Sequence, residues 1–288
     1  MKKKGNIVIF IAIILCLASM IMAFYKPSNS SFIESNTLNI KIFRVGKADA
    51  IVIDNGGEYM VIDVGEEEDG FEVIEYLEKK GVDKVKVLLI THFDKDHVGG
   101  ADTFLEYIQA EEVILPDYVG VGTDYMDFMQ TLNDLDIKPT YLHENKTFAL
   151  GDSTITLNPP ATYDVSLEHK EIDNDLSIIT TIEHHDNRLV FLGDAEKKRL
   201  REYLSSGEAL PCDFMKLPHH GVYNTELENL MDALQPTYIA ICTSKKNPAE
   251  TQTVQLLKSK GAKVAETKDG GIYVTSDGKD VYMNQKGE

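Results

Sequence analysis

Thr91-His92-Phe93-Asp94-Lys95-Asp96-His97-Val98-Gly99-Gly100 places four candidate metal ligands within six residues: His92, Asp94, Asp96 and His97. The run Val87-Leu88-Leu89-Ile90 before it reads as a buried strand, and Ala101 to Ile108 after it reads as a helix. The ligands therefore sit on a loop at the carboxyl end of a strand, between two rigid supports. Clustered imidazoles and carboxylates repel or desolvate one another unless something positive compensates them. A divalent cation, or a pair, is the natural compensation. Asp96 or Asp102 as a helix cap would explain one residue of the group but not all four. Gly99-Gly100 reads as a tight turn that lets backbone approach the ligand loop.

The same pattern recurs twice downstream. Leu189-Val190-Phe191-Leu192 runs into Gly193-Asp194, and Phe214-Met215-Lys216-Leu217 runs into Pro218-His219-His220-Gly221. In each case an apolar strand ends in Asp or His with Gly beside it. Ligands set at one sheet edge by separate strands converge in space though distant in sequence.

Around these segments the chain alternates strands and helices. Asn39 to Phe43 alternates like a half-buried strand. Ala50 to Ile53 and Tyr59 to Ile62 flank Asn55-Gly56-Gly57, a hairpin signal. Phe71 to Lys80 is an amphipathic helix closed by Gly81. Further strands are predicted over Val113 to Leu115, Thr154 to Leu157, Ser177 to Glu183 and Tyr238 to Cys242. Helices are predicted over Tyr125 to Leu135 and near Ala195 to Leu204, Thr225 to Leu234 and Ala249 to Lys260. Two β-rich halves with helices between them fit a sandwich of sheets covered by helices.

The amino terminus is a separate object. Lys2-Lys3-Lys4 precede the apolar segment Ile7 to Phe24, which is near the short end of the roughly 17–25 residues needed to span a bilayer. Lysines ahead of it favour a cytoplasmic start, with everything after Phe24 outside. Residues 1–25 are therefore read as a signal-anchor, with a cleaved signal peptide and a secreted product as the rival. Residues 26–36 are Ser- and Asn-rich and read as a linker; residues 37–288 form the folded domain.

The chain has 288 residues and a net charge of −18. The first 36 contribute +3 (Lys2, Lys3, Lys4 and Lys26 against Glu34), so the rest carries −21. Such a surface repels polyanions, and the body has no basic run of the kind nucleic-acid binders show. Cys212 and Cys242 either pair in an oxidising exterior or remain two buried thiols. No Gly-rich phosphate loop and no Ser nucleophile elbow is present.

His92-Phe93-Asp94-Lys95-Asp96-His97, with Gly193-Asp194 and His219-His220-Gly221, resembles the metallo-β-lactamase-fold hydrolases. The closer resemblance is to the branch that includes the C-terminal domain of the competence protein ComEC and a phosphorylcholine esterase. Phe43 to Ala50, Tyr59 to Gly65, Asn174 to Ser177 and Gly271 to Gly278 resemble further segments of that branch, so the likeness runs from about Leu38 to the end. It implies an α+β fold, an αββα sandwich of two mixed β-sheets flanked by helices, here behind an N-terminal membrane helix. It also implies two divalent ions, Zn2+ or Mn2+. By matching position, His92 and Asp94 would hold the first ion, and Asp96, His97 and His220 the second. Asp194 would bridge them. His219 would touch the substrate phosphate or assist the leaving group, so His219 and Asp194 are the expected catalytic pair. Asp63 would be a supporting carboxylate, and Asn174 stands where other branches place a further His.

Several departures mark this chain, among them Asn247 rather than a His before Pro248. Asp94 replaces the usual His and hardens the site, which permits manganese as well as zinc and, by analogy with the branch, favours phosphoester chemistry. Arg44 and Lys47 replace acidic and amide residues, and Val222 replaces a Ser. The function expected is a membrane-tethered, extracytoplasmic phosphodiesterase using a metal-bound hydroxide. Small phosphodiesters or phosphodiester groups of cell-wall polymers are the expected substrates. A nuclease on single-stranded DNA and a metal-binding protein without catalysis are the alternatives.

Overall fold

The alternation of Leu38-Asn39-Ile40-Lys41-Ile42 resolves into a strand with Leu38, Ile40 and Ile42 buried and Asn39 and Lys41 half-buried. This is β1, and the computed structural model to which it belongs describes residues 37–163 and 172–286. The expected hairpin around Asn55-Gly56-Gly57 follows as β2 (Ala50–Asn55) and β3 (Glu58–Val64). Both are buried on both faces, which accounts for their continuous apolar runs. Next come β4 (Lys84–Leu89), β5 (Gln109–Pro116) and β6 (Thr140–Leu142). With β14 (Gly271–Ser276) and β15 (Val281–Lys286) they build one eight-stranded sheet in the order β15-β14-β1-β2-β3-β4-β5-β6. The second sheet is seven-stranded, in the order β13-β12-β11-β10-β9-β8-β7. Its strands are β7 (Lys146–Leu150), β8 (Ser153–Asn158), β9 (Ile179–His184), β10 (Asn187–Phe191), β11 (Phe214–Lys216), β12 (Tyr238–Ile241) and β13 (Lys263–Glu266). Both sheets are mixed: β3 to β6 and β10 to β13 run parallel, and the remaining pairs antiparallel.

Three apolar clusters define the layers. The central one interleaves Ile40, Ile51, Ile62 and Leu89 of the first sheet with Ile155, Ile182, Leu189 and Phe214 of the second. A second packs the outer face of the first sheet under α1 (Gly70–Lys79), α3 (Ala101–Tyr107) and α4 (Thr123–Asp134). The third packs the outer face of the second sheet under α6 (Lys197–Ser205), α7 (Leu227–Leu234) and α8 (Thr251–Ser259). The layering is αββα, as expected. Between α1 and α3 lies the single-turn α2 (Lys95–Val98), and α5 (Ile172–Asp175) precedes β9. Among the described residues no helix is long and apolar enough to cross a membrane. The segment read as an anchor and the linker at residues 26–36 lie outside the described residues. Cys212 and Cys242 are two separate buried thiols.

This topology positions the ligand loops. β10 and β11 are adjacent and parallel, so Asp194 and the His219-His220 pair leave the second sheet at the same end. The first sheet meets them through Thr91, whose carbonyl accepts the amide of Ile178 at 3.0 Å, just ahead of β9. Gly99 and Gly100 serve this approach differently from the expected tight turn. Gly99 has ordinary right-handed helical angles. A Cβ on it would lie 2.5 Å from the Lys95 carbonyl and 2.9 Å from the backbone at Glu66, and one on Gly100 would lie 2.7 Å from the Val64 carbonyl. They are glycines because two backbones touch, not because φ is positive.

Candidate metal centre

Asp63, next to last in β3, has φ 55, a left-handed conformation costly for a residue other than glycine. Its carboxylate is buried and fully engaged. It accepts the Thr91 amide at 2.8 Å, the Thr91 hydroxyl at 2.7 Å and Nδ1 of His97 at 2.8 Å. Nδ1 of His97 thus carries its proton, and Nε2 points the other way. His92 is fixed similarly, with its Nδ1 3.1 Å from the Thr91 hydroxyl. Nδ1 of His220 donates to the Cys242 carbonyl at 3.1 Å. Three imidazoles are therefore each held from behind through Nδ1, which leaves three Nε2 atoms facing inward. The His92 and His97 rings lie 4.0 Å apart between centroids, and those of His97 and His220 5.5 Å apart.

The carboxylates close around these nitrogens. Asp194 Oδ2 lies 3.0 Å from His220 Nε2, and its Oδ1 lies 3.3 Å from His97 Nε2. Asp96 Oδ2 is 3.3 Å from His220 Nε2, and Asp94 Oδ2 is 3.7 Å from His92 Nε2. Asp96 is accordingly a site residue rather than a helix cap; neither α2 nor α3 has a side-chain cap. The six residues read as ligands, His92, Asp94, Asp96, His97, Asp194 and His220, come together in this manner. His219 stands beside them with φ 46, and His220 has φ 50. Asn174 is buried nearby in α5, but its side-chain oxygen has no hydrogen-bond partner. Its neighbour Asp173 is the residue that faces Asp94, and its pKa is raised by burial and by that carboxylate.

Four residues to which the sequence reading assigned no role complete the site. Asp173 is one. Glu196 binds Nδ1 of His219 in a close contact, orienting that ring. Asp49 and Lys216 are the other two, both fully buried. The Lys216 ammonium pairs with Asp49, donates to the Gly193 carbonyl at 3.0 Å and lies 3.6 Å from Asp194 Oδ1. Asp49, His97, Asp194 and His220 offer ligand atoms within 4.8 Å of one another. Asp49, however, approaches His97 and His220 from their Nδ1 sides, at 3.9 and 3.7 Å. It is a counter-charge behind the imidazoles, neutralised by Lys216, rather than a partner of the inward nitrogens. A lysine at the end of the three-residue strand β11, which lies between β10 and β12, has no route to solvent. That is the one sequence signal that would have pointed to a buried carboxylate.

The donor set fits divalent cations. Nε2 of His92, His97 and His220 and Oδ1 of Asp194 are buried without hydrogen-bond partners. Unmatched acceptors of this kind require a cation or protons between them. Without a cation, protons supply the charge. Burial opposes charging His97 and His220, but Asp194 and its neighbours outweigh burial and raise both pKa values, His97's well above its ordinary range. Burial likewise opposes ionising Asp194, and His220 and His97 override it to hold the carboxyl well below the usual range. A metal must displace those imidazolium protons. Metal binding should therefore release roughly one proton or more per ion near neutral pH, and affinity should rise with pH. The stability contribution of a raised His is fully present below its unfolded pKa of 6.5 and is lost as pH climbs through the folded value. Chelator-treated protein should lose melting temperature from neutral to alkaline pH, and metal-loaded protein should not. Calorimetry in buffers of different ionisation enthalpy, with melting curves across that range, checks both; no proton release would contradict this electrostatic balance.

Comparison with known proteins agrees with the geometry. The family model described as the metallo-beta-lactamase superfamily matches residues 44–243. The chain is 23% identical over 279 residues to ComE operon protein 3 of Bacillus subtilis (strain 168), covering 89% of this chain and 34% of that protein. It is 24% identical over 217 residues to Recombination protein 2 of Haemophilus influenzae, covering 74% of this chain and 25% of that protein. The chain thus spans about a third and a quarter of the lengths of these relatives. Among solved structures, Igni18, a metallo hydrolase from Ignicoccus hospitalis, aligns with a TM-score of 0.52 at 16% identity, covering 87% of this chain and 99% of that one.

Proposed function

This chain belongs to the metallo-beta-lactamase superfamily, and from that premise we propose that it is a metal-dependent phosphodiesterase with a dinuclear centre. The observation that carries the proposal is the set of inward, unpartnered Nε2 atoms of His92, His97 and His220 ringed by Asp94, Asp96 and Asp194. His92 and Asp94 would hold one ion, Asp96, His97 and His220 the other, and Asp194 would be shared between them. When bound, such ions bring the pKa of water from 15.7 down to about 7 and offset charge on phosphoryl oxygens. Zinc and manganese both suit this mixed nitrogen and oxygen set.

The rest of the chemistry belongs to the chain. Asp63, Thr91 and the Cys242 carbonyl fix the imidazoles, so no reorganisation is needed when charge develops. Glu196 holds Nδ1 of His219, which leaves Nε2 as the position from which a proton passes to the departing oxygen. A cleft of about 410 Å³ is lined by Arg44, Thr243, Lys245, Lys246 and Lys268. Thr243 directly follows Cys242, whose carbonyl binds His220, so the cleft adjoins the site along the chain. Basic residues gathered there, in a chain of net charge −18, favour an anionic substrate. Lys47 lines a separate cleft with Glu66, Glu67, Glu68 and Asp69.

Small phosphodiesters, or phosphodiester groups of cell-wall polymers, suit the overall charge. Lys2 to Lys4 ahead of Ile7 to Phe24 support an enzyme held at the membrane and working outside. A nuclease acting on single-stranded DNA is the second reading, favoured by the basic cleft and by the relative named Recombination protein 2. One assay separates them. The full chain, loaded with zinc or manganese, is given bis-p-nitrophenyl phosphate, other small phosphodiesters and single-stranded DNA. Hydrolysis of the small diesters at rates little affected by salt is expected, and Arg44→Glu with Lys245→Glu should raise KM by about tenfold more than it lowers kcat. Steeply salt-sensitive DNA cleavage would favour the nuclease. Failure to cleave any diester with either metal would remove the proposal.

A further inference from the structure

The chain has a second group of metal-ligating side chains, at the other end of β10. Asp194 follows the carboxyl end of that strand; His184 and His185 precede its amino end. Five residues of strand lie between, roughly 17 Å at the rise of a β-strand. His184 is the last residue of β9 and is inaccessible to solvent. His185 follows in the turn with φ 54, a left-handed conformation that brings its ring to 4.7 Å from that of His184. Asp152, in the turn between β7 and β8, faces both: its Oδ1 is 3.3 Å from His184 Nε2 and its Oδ2 3.0 Å from His185 Nε2. Ligand atoms of all three lie within 4.8 Å of one another.

The surrounding hydrogen bonds fix the tautomer of His184. Asn187 Nδ2 donates to the Lys279 carbonyl at 3.0 Å, so its Oδ1 is the acceptor for the Ser276 hydroxyl at 2.7 Å. The single proton of Ser276 is thereby committed. Its 2.7 Å contact with His184 Nδ1 then requires the proton to sit on Nδ1. A neutral His184 presents a bare Nε2 lone pair to a carboxylate oxygen 3.3 Å away. That nitrogen is buried and has no hydrogen-bond partner. Two acceptors in that relation repel unless a cation lies between them.

The geometry points to a second metal site, separate from the catalytic centre, in which Asp152, His184 and His185 bind one zinc-class ion. Two imidazole nitrogens and one carboxylate oxygen leave a fourth position for water. The hydrogen bond from His184 Nδ1 to Ser276 is the outer contact that orients a ligating histidine. Asn55 Nδ2 donates to Asp152 Oδ1 at 2.8 Å and holds the carboxylate. The ion would tie the β7–β8 turn to the β9–β10 turn at the end of the sandwich away from the reaction.

The test is a zinc count on the full chain, stripped with chelator and dialysed against low-micromolar Zn2+. His185→Ala and Asp152→Asn are the informative variants, because both side chains are partly exposed, at 46% and 30%, and their replacement leaves the core intact. Wild type should retain one more equivalent than either. Asp194→Ala, emptied at the catalytic centre, should still retain one ion, and Asp194→Ala/His185→Ala none. Hydrolysis by His185→Ala should stay within about twofold of wild type, since the reaction's residues are elsewhere. Zinc contents equal in wild type and both variants would overturn the assignment. So would nitrogen NMR showing both ring nitrogens of His184 protonated in zinc-saturated protein, which makes the contact an ordinary ion pair. Neither readout depends on which phosphodiester the enzyme prefers.

Discussion

Replacing Asp194 by Ala is expected to empty the catalytic centre and to cut phosphodiester hydrolysis by about a thousandfold or more. Asp194 is the one carboxylate in contact with both inward imidazoles on its side, through different oxygens, at 3.0 Å from His220 and 3.3 Å from His97. It also lies 3.6 Å from Lys216. Without it, Lys216 is countered by Asp49 alone, and the imidazoles lose the charge that orients them toward a cation. Both ions should be lost together, because neither remaining set of ligands is complete. Asp194→Asn keeps the volume and separates charge from packing: it should fold as wild type and still bind metal poorly. Elemental analysis of dialysed protein, circular dichroism and single-turnover hydrolysis check this. Full metal content with full activity in Asp194→Asn would contradict the role given to that carboxylate.

Lys216→Met is expected to destabilise the fold by about 3–5 kcal/mol, the usual cost of leaving one partner of a buried ion pair alone. For a domain of this size that is a fall in melting temperature of about 10 °C. Lys216 and Asp49 are both fully buried and in close contact. Asp49→Asn should cost a similar amount, leaving an ammonium whose nearest remaining carboxylate is Asp194. The double variant Asp49→Asn/Lys216→Met removes both charges and should recover part of the loss, with a coupling of roughly 1–3 kcal/mol in a double-mutant cycle. Thermal or urea unfolding measures this. Strict additivity would mean that the two charges do not support each other.

How much of this was legible in the sequence differs by element. The ligand loop, the hairpin at Asn55-Gly56-Gly57, the helix closed by Gly81 and the three strand-to-ligand junctions rest on local periodicity and local turn chemistry, and the fold has them at those places. The short strands β6 and β13 went unread because three or four residues carry too little period to register. The Gly99-Gly100 pair was legible as important but not in its reason, since backbone contact between α2 and the Glu66 region is a long-range fact. Asp49, Asp173, Glu196 and Lys216 share one difficulty. Each is a charged residue whose partner lies in a distant segment, and a lone charge in sequence reads as a solvated one. The order of strands decides otherwise: β11 lies between β10 and β12, so Lys216 is enclosed and finds Asp49 across the sandwich. His184 and His185 look like one more polar turn until Asp152, Asn55 and Ser276 arrive from three other hairpins.

The most direct measurement is anomalous diffraction from crystals of the full chain soaked in zinc or manganese, collected at the edge of the metal. Two peaks are expected inside the ring of Nε2 atoms, one beside His92 and Asp94 and one beside Asp96, His97 and His220, with Asp194 reaching both. Absence of any peak there, with His92, His97 and His220 instead hydrogen-bonded to ordered water, would contradict a metal centre altogether.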